Sequence, residues 1–398
     1  MHLGRAAILL GLLLSLSLQA PAQEAVPELD DRHLFTPAAK AAAEGALAWL
    51  DSRQNKKEGD PACGSWNAWV GFKINDSYRH QPPRPRQGPN GMPHLGVTAL
   101  AGMAFLSGGH LPGQGRYGDT VQRALDFVLR YVSKDDGFIH AHGTRMYSHA
   151  FCVLFLAEVY GMTGRADLRE HLDRAIEFTY KSQNKKGGWR YAPGARDSDM
   201  SITVCQVVAL REARNIGIRV PKETIDNALK YVMESAVTFG SDRGAFLYQH
   251  RDVPFNRNSF ALTAAGLTTI YQAGLYSDRE VERFCRKKDI NTTPRISDCL
   301  HYLARSYDQV WRDYRRHYFY FYGNYYAIQA LYTRGGREWR DWYSMVRDDL
   351  LHLGKESQGS DGEPRMRWTA VYVGDVFATA VAAIILQVPT HYLPIFQR

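Results

Sequence analysis

A chain of 398 residues, 45% of them apolar and 12% aromatic, carries enough apolar side chains for one large core, which excludes a disordered polypeptide. Its formal charge of +8 does not mark a nucleic-acid binder, because the basic residues are interleaved with acids, as in Asp167, Arg169, Glu170, Asp173 and Arg174. The five cysteines (Cys63, Cys152, Cys205, Cys285, Cys299) are scattered without a Cys-x-x-Cys spacing, which excludes a disulfide framework and reads as small buried hydrophobes.

In chain order the first feature is an export signal. Arg5 precedes an apolar run over residues 6–18, and Ala20-Pro21-Ala22 supplies the small residues that a signal peptidase reads. Residues 1–22 are therefore expected to be a signal peptide cleaved after Ala22, and residues 23–398 a single domain in the periplasm or outside the cell. No later apolar run is long enough for a transmembrane helix; the best, residues 376–388, falls short.

From residue 37 onward two patterns alternate. The first is Ala-(Leu/Ile)-x-aromatic, seen in Ala46-Leu47-Ala48-Trp49, Ala124-Leu125-Asp126-Phe127, Ala175-Ile176-Glu177-Phe178 and Ala228-Leu229-Lys230-Tyr231, with a variant at Cys299-Leu300-His301-Tyr302. Apolar residues three and four apart predict amphipathic helices over residues 37–55, 117–134, 167–184, 221–237, 295–313 and 337–353. The second pattern is a capping residue followed by a nearly uncharged apolar run, with Gly96, Ser148, Ser201, Ser259, Asn324 and Asp375 as the expected caps. Helices without a polar face must be buried all round. The alternation predicts an all-α fold, a single (α/α)6 toroid of six helix pairs with an inner buried ring and an outer amphipathic one. The inner helices then run in one direction, and their N-termini make one mouth mildly electropositive.

The connections carry a further signal. Gln183-Asn184-Lys185-Lys186-Gly187-Gly188-Trp189 and Gln54 with Gly64-Ser65-Trp66 lie between outer and inner helices, with weaker forms at Gly137-Phe138 and Gly244-Ala245-Phe246. Physically, the glutamine suits bonding to free carbonyls, the glycine a turn, and the indole a wedge between pairs. This element resembles the repeats of squalene cyclases and protein prenyltransferase β subunits, both α/α toroids. Met146-Tyr147-Ser148-His149-Ala150-Phe151, Asp197-Ser198-Asp199-Met200-Ser201 and Tyr392-Leu393-Pro394-Ile395-Phe396 resemble small exported bacterial proteins with prenyltransferase and squalene-oxidase repeats.

Three groups of residues are candidates for function. Asp197-Ser198-Asp199-Met200 stands where squalene cyclases carry Asp-x-Asp-Asp, so the resemblance implies Asp199 as general acid and Asp197 as its first acid, with Met200 in place of the last aspartate. The plainer alternative is that both acids sit at a helix start and pair with Arg190 or Arg196. His140, His142 and His149, with Asp197 or Asp199, have the residue types of a zinc site but not a diagnostic spacing, and loop and cap roles are the alternative. Asp298-Cys299 does not reproduce the prenyltransferase zinc motif, and neither a metal nor a cofactor is implied. The third group is the aromatic run from Tyr318 to Tyr326 with Trp189, Tyr191, Trp368 and Tyr372, placed at the mouth beside Arg145, Arg190 and Arg257.

The expected ligand surface comprises His149, Tyr147, Arg145, Arg190, Tyr191, Tyr322, Asn324, Tyr325, Trp368, Tyr372 and Asp375. Its aromatic walls suit a carbocation, a sugar face or plain ring packing, and tyrosines with arginines suit a polar ligand better than a hydrocarbon. The leading expectation is a ligand-binding or scaffolding toroid, with an isoprenoid or carbohydrate as ligand. The alternatives are a degenerate class II terpenoid cyclase or isomerase using Asp199, or an envelope polysaccharide lyase or hydrolase.

Overall fold

The computed structural model describes residues 31–69, 91–141, 145–250 and 257–396; the expected signal peptide and its cleavage site lie outside them. Helix α1 (Pro37–Arg53) starts where Thr36 Oγ1 accepts the Ala39 N–H at 3.2 Å and Pro37 presets the first turn. A two-residue pairing of β1 (Asn67–Ala68) with β2 (Met92–Pro93) leads into α2 (Leu95–Ser107), which is buried along its whole length. The chain continues through α3 (Gly118–Arg130), α4 (Met146–Thr163), α5 (Asp167–Lys181), α6 (Met200–Asn215), α7 (Lys222–Glu234) and α8 (Phe260–Gln272). Then come α9 (Asp278–Lys287), α10 (Ile296–Tyr314), α11 (Tyr318–Arg334), α12 (Gly336–Leu353), the hairpin β3 (Lys355–Gln358) and β4 (Pro364–Arg367), and α13 (Asp375–Gln387).

The apolar helices α2, α4, α6, α8, α11 and α13 stand side by side, each against the next, and α13 meets α2. The amphipathic helices lie in the outer grooves: α5 between α4 and α6, α7 between α6 and α8, α10 between α8 and α11, α12 between α11 and α13. Closure is made by α1, which sits between α13 and α2. At the seam Gln387 Nε2 donates to Ala104 O at 3.1 Å and Ser107 Oγ at 2.8 Å, and Trp339 Nε1 donates to Asp31 at 2.9 Å. The fold is an (α/α)6 toroid.

Two elements escape the helix-pair pattern. The charged α9 buries only Val281 and Cys285 and is held by a capping box of Ser277 and Glu280. The β3–β4 hairpin lays Met366 against Gly45 of α1, where a methyl group would stand 3.1 Å from the Met366 side chain. Of the six expected caps only Ser259 caps its helix, accepting the Leu262 N–H at 3.3 Å. Gly96, Ser148 and Ser201 lie inside helices that start earlier, and Asp375 opens α13. Asn324 lies in the second turn of α11, because His317 Nδ1 takes the Phe319 N–H and the aromatic run is already helical.

One joint recurs around the ring. The Trp66 N–H donates to Thr98 Oγ1, Trp189 to Thr203, Phe246 to Thr263 and Trp368 to Thr379, each threonine lying near the start of its own inner helix. The indoles of Trp66, Trp189 and Trp368 donate to carbonyls of the preceding outer helix at 2.7, 2.9 and 2.8 Å. Gln54 and Gln183 each bridge the turn carbonyl, of Gly64 or Gly187, to a carbonyl of the next outer helix, Thr120 or Thr224. Gly64, Gly137, Gly187 and Gly244 all have positive φ and press against backbone of that next helix, so that a Cβ on Gly187 would lie 2.2 Å from Asn227 O. The repeat in the sequence is thus a mortise between consecutive pairs.

At the far end of the ring from the inner N-termini, Glu158 of α4 and Glu212 of α6 are both fully buried. Glu158 Oε1 accepts the Ile395 N–H at 3.4 Å and Glu212 Oε2 the Asn215 amide at 3.1 Å, while Glu158 Oε2 and Glu212 Oε1 have no partner among the described residues. Burial, then the charge of Glu212, pushes Glu158 well above the carboxylate range. Burial raises Glu212 to about 7, against opposing pulls from Asn215 and Arg211.

Two outcomes are expected. Gly187→Ala should cost at least about 2 kcal/mol in chemical denaturation, because neither its φ nor its carbonyl neighbour admits a methyl group; an unchanged midpoint would disprove the joint. A carboxyl whose folded pKa is raised gives stability that is complete below its unfolded value and lost as pH climbs through the folded one. The melting temperature should therefore fall between about pH 4.5 and pH 7, and Glu212→Gln should flatten that fall.

Candidate functional site

Asp199 is the N-cap of α6 and is fully buried. Its Oδ1 accepts the Ile202 N–H at 2.9 Å and the Ser201 hydroxyl at 2.5 Å; its Oδ2 accepts Arg190 Nη1 at 2.5 Å and the Tyr248 hydroxyl at 3.3 Å. Arg190 also pairs with Asp197, which is more than half exposed, at 3.1 Å. The guanidinium lies 4.6 Å from the Tyr191 ring centroid and 5.5 Å from that of Tyr248, and the hydroxyls of Tyr191 and Tyr248 bond each other. Every neighbour of the Asp199 carboxylate is a donor. It holds an arginine and the first turn of α6 in place.

Above this floor, at the inner-helix N-termini, lies a cavity of about 400 Å³. Its lining comes from α4 (Tyr147), α6 (Ser201), the start of α8 (Ser259, Phe260) and α11 (Tyr318, Phe319, Tyr322). Tyr248, Arg257, Asn258 and Asp242 contribute from the turn before α8, and Tyr302, Ser306, Gln309 and Tyr314 from the outer helix α10. Tyr147 donates to Ser201 Oγ at 2.6 Å and Tyr322 to Ser201 O at 2.8 Å, which ties three inner helices together beneath the opening. Arg257 lies over the Tyr248 ring at 4.7 Å, and Asn258 Nδ2 donates to Asp242 Oδ2 at 3.0 Å. Burial pushes the hydroxyls of Tyr147, Tyr248, Tyr318 and Tyr322 above their ordinary range, so each stays a neutral O–H, donor and acceptor at once.

Of the residues expected at the mouth, Tyr147, Arg257, Tyr318, Phe319 and Tyr322 line this cavity, and Arg190, Tyr191 and Asp199 adjoin it through Tyr248 and Ser201. Arg145 is half-buried at the N-cap position of α4. The others lie elsewhere. His149 is fully buried and occupies the position that Thr98, Thr203 and Thr263 hold in other repeats: its Nδ1 accepts the Ile139 N–H at 3.2 Å and its Nε2 meets Thr179 Oγ1 at 2.9 Å. Burial lowers its pKa to about 3, and both ring nitrogens are used within the wall. His140 is exposed and stacks on Phe138, while His142 lies outside the described residues. No group of three possible metal-ligating residues occurs among the described residues.

Trp368 is a joint tryptophan rather than a mouth residue, fully buried with its indole on Leu350 O. Asn324 and Tyr325 face the core, Asn324 Nδ2 bonding Tyr320 O and Tyr325 packing on Phe151 at 6.3 Å. Asp375 pairs with Arg367. Tyr372 is exposed, outside the cavity lining, with its ring 5.4 Å from His317. Sequence reasoning missed Tyr248, although it stands two residues after Phe246 as Tyr191 does after Trp189. It also missed Tyr302, Ser306 and Gln309.

No family model matches the sequence, and no curated protein does. The fold is similar to solved structures of sugar-active toroids. An α-1,6-mannanase from Salegentibacter sp. HEL1_6, an inactive variant in complex with α-1,6-mannotriose, superposes with TM-score 0.54 at 9% identity, over 88% of this chain and 98% of that one. A family 76 α-mannanase of Bacteroides thetaiotaomicron gives 0.56 at 11% identity, over 90% and 97%. Cellobiose 2-epimerase from Spirochaeta thermophila gives 0.56 at 13% identity, over 90% and 96%. At these identities the likeness is one of fold.

These neighbours overturn the resemblance to squalene cyclases and prenyltransferases. The Gln…Gly-x-Trp element on which it rested is the packing joint described above, and such a joint meets the needs of any ring of helix pairs. The isoprenoid ligand loses its support with it. The expectation of no membrane span concerns a different property: among the described residues no helix is long and apolar enough to cross a bilayer.

Asp199→Asn should lower stability by about 2 kcal/mol in urea denaturation, since it leaves the largely buried Arg190 with only the more exposed Asp197 as counter-charge. Wild-type stability in that variant would show that the ion pair does not hold the floor.

Proposed function

We propose that this protein is a carbohydrate-binding toroid whose mouth cavity holds a short neutral saccharide. The observation that carries the reading is the lining itself. Six tyrosines (Tyr147, Tyr248, Tyr302, Tyr314, Tyr318, Tyr322) supply ring faces for the C–H faces of a pyranose and hydroxyls for its polar edge. Asn258, Gln309, Ser201, Ser259 and Ser306 add uncharged donors and acceptors. Arg257 and Asp242 are the one cation and the one anion among the described lining residues, a balance that suits a neutral ligand. A cavity of about 400 Å³ is at the small end for a ligand site and matches a few sugar rings at most.

A second reading is cleavage or epimerisation of the bound sugar, favoured by the activities of the mannanases and the epimerase and by the carboxylate of Asp242 at the rim. Glycoside hydrolysis uses a facing pair of carboxylates, and Asp242 has no such partner among the described lining residues. Binding therefore leads.

Calorimetric titration of the purified protein with α-1,6-mannobiose and cellobiose tests both readings. One of these disaccharides should bind, and Tyr318→Ala should weaken it at least about tenfold, as for a stacking residue within a pocket. Absence of heat with both sugars removes the binding reading, and release of monosaccharide or epimer on incubation moves the conclusion to catalysis.

A further inference from the structure

We propose that the cavity receives one end of a longer neutral glycan whose following units lie on an aromatic rail along the rim, from Tyr314 through His317 to Tyr372. This rests on the saccharide reading and extends it from a single pocket to a chain-binding site. Three observations carry it.

The rail is continuous with the cavity. Tyr314, Tyr318 and Phe319 belong to its lining. From them the rings run outward: Tyr314 lies 5.6 Å from His317 and from Phe319, His317 lies 4.5 Å from Phe319, and Tyr372 lies 5.4 Å from His317. A ligand leaving the cavity on this side meets aromatic surface.

The far rings are open to solvent. Tyr372 is 56% exposed and Tyr314 is 38% exposed. Large aromatic side chains set in a row at the edge of a pocket are the usual furniture of a binding surface, because their exposure gains the fold nothing.

Tyr372 is also held at a cost. Its φ is 75°, in the left-handed region where a side chain other than glycine is disfavoured. The backbone around it is pinned: the Val371 N–H donates to Arg316 O at 2.9 Å, Val371 bridges in parallel to His317, and the Gly374 N–H donates to Ala370 O at 3.0 Å. Glycine would satisfy this turn without strain, yet the position holds a tyrosine whose ring packs edge-on to His317 and stays more than half exposed. A ligand that stacks on that ring accounts for it.

The ligand class follows from the rail's composition. Successive ring faces, beside a cavity whose described lining carries one anion, Asp242, and one cation, Arg257, suit a neutral chain of sugar units, each stacking in turn. The test uses manno-oligosaccharides and cello-oligosaccharides of two to four units with the wild type, Tyr372→Gly and Tyr318→Ala. Tyr372→Gly relieves the backbone strain, so its melting temperature should equal or exceed that of the wild type. Wild-type affinity should rise with chain length. Tyr372→Gly should bind the disaccharide as the wild type does and lose most of the gain with length, about three- to tenfold. Tyr318→Ala should weaken every length alike. A wild type that binds disaccharide without any gain from longer chains overturns the rail and leaves the cavity reading standing, as does a Tyr372→Gly variant equal to wild type at every length. Failure of every saccharide to bind the wild type defeats both.

Discussion

The structure depends on the contact between the turn of one helix pair and the backbone of the next outer helix. Gly64, Gly137, Gly187 and Gly244 bring the chain so close that the neighbouring carbonyls leave no space for a methyl group. Threonine hydroxyls, or His149 in the second repeat, fix the same turns to the inner ring. A turn pinned on both sides sets the angle between successive pairs. Repeated around the circle, that angle brings α1 into the groove of α13 and α2 instead of letting the array run on as an open superhelix.

The same geometry decides what the mouth can do. Because the inner helices run in one direction, the residues just before and within their first turns gather at one end. There Asp199 is bonded to Arg190 and to the cap of α6, and it forms a foundation for Tyr248 and Ser201. What remains open above is a wall of hydroxyl-bearing rings. It offers faces for stacking, edges for hydrogen bonding and, among the described lining residues, a single charge of each sign.

Much of this was legible in the sequence, for reasons that particular residues make clear. The two rings follow from periodicity, since α2 and α13 have no polar stripe and α3 and α10 have a pronounced one. The cap residues were read less well. Ser148 and Ser201 look like caps, yet Asp199 begins α6 two residues before Ser201, and in α11 a histidine caps a run of aromatics that propensity alone does not favour. The Gly-x-Trp element was visible but ambiguous, since a joint that suits every ring of helix pairs does not distinguish one family of rings from another. His149 and Trp368 carried functional residue types in structural positions, and only the threonines at equivalent places reveal it. Ser306 and Gln309 were out of reach for the opposite reason: polar residues on an outer helix ordinarily face water, and periodicity does not tell that this stretch of α10 borders the cavity.

A closed circle also limits how such a molecule can change. An open array of helix hairpins lengthens or shortens by whole units with little penalty at its ends. Here the pair added or lost would spoil an angle shared by all the rest, and Gln387 could no longer reach Ala104 and Ser107 across the seam. The number of units is thereby frozen, and novelty is confined to the segments that join them. Those that lead into the inner helices surround the opening, so part of what is free to diverge lies beside the cavity.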